Sequence, residues 1–85
     1  MVRLTHTIAS GEGLHALTSA DLAKLLRGFD CQVLVSCWGQ AADGKDPMAL
    51  VALGAHRDAE LHLLLDGADA ERAAEAAGKF LEERL

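Results

Sequence analysis

Residues 13–28 read GLHALTSADLAKLLRG. Ala16, Ala20, Ala23 and Leu26 recur at helical spacing, and Leu22 and Leu25 widen the stripe. Asp21, Lys24 and Arg27 supply polar positions. The pattern predicts an amphipathic helix over 16–27, with Gly28 as its stop. Its opening is unusual. A helix start favours Ser, Thr, Asp or Asn at the cap, and here His15 stands directly before the apolar run. The first helical turn carries free N–H groups and the positive end of the helix dipole. Together they make an anion site. A histidine at that mouth is placed to hold a phosphoryl group over main-chain donors, here Ala16 and Leu17, without a metal. Gly11 and Gly13 flank the preceding turn and permit unusual dihedral angles. From spacing alone, an ordinary exposed histidine near a cap is the readier reading. Thr18 with Asp21 reads as a capping box with Asp in place of Glu.

Outward from this helix, Val2, Leu4, His6 and Ile8 alternate with Arg3, Thr5 and Thr7, as in a half-buried strand. SGEG (10–13) is a turn. Residues 31–38 predict a second strand with Cys31, Val33, Val35 and Cys37 on one face, followed by a hairpin and a short third strand near 40–43. Asp46-Pro47 reads as a cap with proline in the first turn of a short helix. That helix runs through Met48 to Leu53, and Gly54 ends it. ELHLLLD (60–66) is a further strand, with Leu61, Leu63 and Leu65 on one face. In the last helix Ala70, Ala73, Ala74, Ala77, Leu81 and Leu85 form the stripe, with Phe80 beside it and Asp69 as N-cap. The order is β-α-β-β-α-β-α. Strands apolar on one face imply helices covering one side of an antiparallel sheet.

The sequence of 85 residues, half of them apolar, suits one small domain over 1–85. The net charge of −5 argues against a nucleic-acid face. Apolar runs are too short to span a bilayer, and the start MVRLTHTIAS does not read as a signal peptide. A cytoplasmic protein is the expectation. Cys31 and Cys37 would lie roughly 20 Å apart along one strand. A disulfide needs Cα atoms within about 7 Å, so both read as small buried hydrophobes. No metal-ligand spacing occurs and neither metal nor cofactor is expected. His6 and His62 read as sheet-surface residues and His56 as a turn residue. The AADGKD stretch at 41–46 is not a phosphate loop, because G-x-x-x-x-G-K-[ST] is absent.

The stretches GLHA (13–16), FDCQVLV (29–35), GKD (44–46) with its short helix, LGA (53–55) and the ending DGADAERAAEAAGKFLEE together resemble the HPr family, the histidine-containing phosphocarriers of the bacterial phosphotransferase system. The resemblance covers nearly the whole chain. It implies an open-faced β-sandwich: a four-stranded antiparallel sheet with three helices on one face. It places His15 on the phosphorylated histidine, which takes a phosphoryl group from enzyme I and passes it to an enzyme II A domain or a regulatory target. It implies a carrier, not a stand-alone catalyst, and a monomer. It implies a partner surface of Leu17, Ala20, Lys24, Arg27, Met48 and Val51. The family motif, G-[LIM]-H-[AT]-R-P-A, is altered here: Leu17 replaces the arginine and Thr18 the proline. One charge-assisted hydrogen bond is worth about 1.5–3 kcal/mol, so Leu17 implies slower transfer. Asp46 replaces the family's regulatory serine. It either caps the short helix or acts as a permanent partial mimic of phosphoserine. Three readings follow: a working phosphocarrier; a divergent relative that binds partners with little transfer; or an unrelated small α+β domain.

Overall fold

The computed structural model describes all residues, Met1–Leu85. The elements are β1 (Val2–Thr7), α1 (Ala16–Arg27), β2 (Gln32–Cys37), β3 (Gln40–Asp43), α2 (Pro47–Ala52), β4 (Glu60–Asp66) and α3 (Ala70–Arg84). Each lies within a residue or two of its sequence prediction. The strands form one antiparallel sheet in the order β1-β4-β2-β3. β4 sits between β1 and β2, with Leu63 opposite Leu4 on one side and Val35 on the other.

Alternation decides which face is covered, because successive strand side chains point to opposite faces. Val33, Val35 and Cys37 of β2 and Leu61, Leu63 and Leu65 of β4 are buried. Gln32, Leu34, Glu60 and His62 between them face solvent. The helices bring Leu22, Ala23 and Leu26 from α1, Leu50 from α2, and Ala73, Ala77 and Leu81 from α3 onto the buried face. Cys31 and Cys37 are buried free thiols, and burial pushes the Cys37 thiol up from its ordinary value.

Some side chains behave differently from the sequence reading. Asp69 stands at the N-cap of α3, but its carboxylate makes no cap bond. Its Oδ2 accepts the Asp30 N–H at 2.8 Å, and its Oδ1 meets Arg72 at 3.3 Å. The carboxylate thus ties the start of α3 to the loop before β2. Asp21 takes no part in a capping box; it pairs with Arg84 of α3 at 3.0 Å. His6 follows the Val2–Leu4–Ile8 alternation onto the covered side, and its Nε2 is buried without a partner. His62 lies on the open face, 2.9 Å from Glu60.

Candidate functional site around His15

The loop before α1 is anchored at both ends. Upstream, the N–H groups of Ala9 and Ser10 donate to the main-chain oxygen of Leu85, beyond α3. Downstream, the Leu14 N–H donates to the Ala55 carbonyl at 2.8 Å, and the Leu14 side chain is buried. Between them Gly13 holds φ +65°, and a Cβ there would lie 2.5 Å from the Ala55 oxygen and 2.6 Å from the His56 Cα. Only glycine fits both the dihedral angle and the space. His56 in turn packs against Trp38 of the β2–β3 turn, with ring centroids 4.7 Å apart and the ring planes tilted by 57°.

This anchoring delivers His15 to the N-cap of α1 in an extended conformation, φ −107° and ψ −174°. Its Nδ1 accepts the Leu17 N–H at 3.3 Å. Thr18 answers from the third helical position: its Oγ1 accepts the His15 N–H at 3.1 Å. The box predicted between Thr18 and Asp21 is therefore closed between His15 and Thr18 instead. Thr18, at the position of the family motif's proline, is buried and holds the histidine backbone in place. Nε2, on the far side of the ring, lies 3.0 Å from Glu12 Oε2. Glu12 was not singled out from the sequence. A carboxylate three residues before a cap histidine was a visible signal, but only the turn shows that it reaches the ring.

The geometry constrains the ring chemically. The Leu17 N–H donates, so Nδ1 presents a lone pair. That lone pair points at the positive end of α1. The Ala16 N–H lies in the same first turn, where no helix carbonyl can reach it.

The residues of the expected partner surface all lie exposed on α1 and α2, two helices that pack on each other. Leu17 is 62% and Met48 76% exposed, large values for such side chains. Ala20, Lys24, Arg27 and Val51 are exposed as well. The Arg27 Nε donates to the Lys45 carbonyl at 3.0 Å, and Lys45 Nζ donates to the Phe29 carbonyl at 2.8 Å. Asp46 caps α2: its Oδ1 accepts the N–H groups of Met48 at 3.0 Å and Ala49 at 3.3 Å.

The family model for the phosphorylation site of the HPr component of the phosphotransferase system matches residues 2–83. The chain belongs to the HPr family. It is 34% identical over 84 residues to the multiphosphoryl transfer protein of Vibrio cholerae, covering 95% of this chain and 21% of that one. It spans about a fifth of the length of the multiphosphoryl transfer proteins it matches. It is 26% identical over 66 residues to the phosphocarrier protein HPr of Chlamydia trachomatis, covering 78% of this chain and 61% of that one. Among solved structures, HPr-C-His from Thermoanaerobacter tengcongensis superposes with a TM-score of 0.92 at 26% identity, over 98% of this chain and 93% of that one. The sheet with three helices on one face is thus the HPr fold. No helix is long and apolar enough to cross a membrane.

Proposed function

We propose that this chain is a phosphocarrier whose His15 accepts a phosphoryl group on Nδ1 from phosphorylated enzyme I. It then donates the group to an enzyme II A-type protein or a regulatory target. The observation that carries this reading is the Nδ1 lone pair at the mouth of α1, 3.3 Å from the Leu17 N–H. In the forward step Nδ1 attacks phosphorus. The bond from phosphorus to the donor breaks, and its electron pair leaves with the donor. Nε2 keeps its proton throughout. Onward transfer reverses this: the Nδ1–P bond breaks and its pair returns to the ring. The chain emerges unchanged, so it acts as an intermediate in transfer and not as a catalyst on its own.

The main-chain groups of Ala16 and Leu17 receive the phosphoryl oxygens, replacing the cap bond that Leu17 gives to the free ring. Helix N-terminal N–H groups suit that charge. Partners dock over Leu17, Ala20, Lys24, Arg27, Met48 and Val51, and the apolar exposure of Leu17 and Met48 favours a partner face that is apolar at its centre. Asp46 acts as a fixed cap on α2, since its carboxylate is engaged by two N–H groups. Leu17 at the motif arginine favours a second reading, a divergent relative that binds partners with little transfer.

Incubation with phosphoenolpyruvate and the enzyme I of the same genome, followed by intact-mass spectrometry at neutral or alkaline pH, separates the two. A gain of one phosphoryl group, lost in His15→Ala, supports the carrier. No gain with an enzyme I shown to be active leaves the partner-binding reading.

A further inference from the structure

We propose that Glu12 is a positioning residue that, opposite the Leu17 N–H, holds the ring proton of His15 on Nε2 and so leaves Nδ1 to react. The consequence for transfer rests on the carrier reading above; the proton placement itself does not. Two groups of opposite demand grip the ring. The Leu17 N–H can only donate, so the nitrogen it meets must be unprotonated. The ionised Glu12 carboxylate can only accept, so the nitrogen it meets at 3.0 Å must carry the proton. Together they admit one tautomer and one ring orientation, with the proton on Nε2 and the lone pair on Nδ1. A ring turned over about its Cβ–Cγ bond would lose both contacts.

The backbone that carries Glu12 is held for this task. The Glu12 N–H donates to Ser10 Oγ at 3.3 Å, and the next residue is the sterically fixed Gly13. Glu12 is itself 79% exposed. As an ion pair such a contact contributes little; what it supplies is direction. It is also the charged side chain that meets the ring, in a site where the motif arginine is a leucine. When Nδ1 takes up the phosphoryl group, Nε2–H stays bonded to the carboxylate. When the Nδ1–P bond breaks, the ring therefore departs as neutral imidazole, with its proton already in place.

The test uses the full chain with 15N-labelled histidine. Long-range 1H–15N correlation spectra are recorded at a pH where the His15 ring is neutral, and amide spectra check folding. Wild type and Glu12→Gln, which keeps an acceptor oxygen, are expected to show Nε2–H alone. Glu12→Lys puts a donor where the acceptor stood, so that donors face both ring nitrogens, and is expected to bring Nδ1–H into the spectrum beside Nε2–H. Phosphorylation by phosphoramidate, which needs no partner protein, should then slow in Glu12→Lys in proportion to the fraction of Nδ1–H, with Glu12→Gln near wild type. A folded Glu12→Lys variant with the wild-type tautomer overturns the proposal. A wild type that shows the single tautomer yet takes no phosphoryl group overturns the carrier reading and leaves the proton assignment standing.

Discussion

Helices α1 and α2 both begin on a side chain that accepts main-chain N–H groups, and the two caps are chemically unlike. Asp46 brings a permanent anion to α2 and engages two donors, Met48 and Ala49, at 3.0 and 3.3 Å. Proline follows it at the first helical position, where a missing N–H costs nothing. His15 brings a ring to α1 and engages one donor, at 3.3 Å. Its other nitrogen faces Glu12. The first cap is committed to its helix. The second makes one long bond, which in the proposed function an incoming phosphoryl group displaces as it takes up the first-turn donors. On the proposed reading, one structural device serves stability at α2 and chemistry at α1, and the difference lies in how fully the capping atom is engaged.

The contrast can be broken most severely at the loop that presents His15. Gly13→Ala forces a Cβ into the Ala55 carbonyl at a positive φ. We expect a loss of about 2–5 kcal/mol, combining left-handed strain with overpacking, read by urea denaturation. Trp38, the single tryptophan, packs against the neighbouring His56 and reports the same event by fluorescence. A cost below about 0.5 kcal/mol, the range of ordinary surface changes, would show that the loop is not held as described.

Leu17→Arg sharpens the comparison by adding a cation beside the displaceable cap. One charge-assisted bond to the transferred group is worth about 1.5–3 kcal/mol, so transfer from a typical enzyme I should quicken about tenfold or more. An unchanged rate, with phosphorylation intact, would show that the main-chain donors already suffice.

The smallest effects test the caps against each other. Asp46→Ala should cost about 0.5–2 kcal/mol, as capping residues usually do. His15→Ala should cost less than about 0.5 kcal/mol, because it loses one long cap bond and a solvent-exposed contact to Glu12 that contributes little. Equal costs in thermal or urea unfolding would make His15 a structural cap like Asp46.

The fold was legible because period-two alternation in 2–8, 31–37 and 60–66 and period-3.6 stripes in 16–27 and 70–85 are set by one buried face, which local pattern records directly. The place of His15 directly before the first turn of α1 was legible for the same local reason. Other contacts depended on chain reversals that no pattern encodes. Asp69 reaches Asp30 across the fold instead of its own helix. Asp21 meets Arg84, 63 positions away. The Glu12 contact required the turn at Gly13, whose need for glycine comes from Ala55 and His56, more than forty positions along the chain.

The most direct measurement is phosphorus NMR of the phosphorylated chain with 15N-labelled histidine, read for one-bond coupling between phosphorus and a ring nitrogen. Coupling to Nδ1 of His15 is the expected result, because that nitrogen holds the lone pair at the mouth of α1. Coupling to Nε2, or phosphorus on any other residue, would contradict the account.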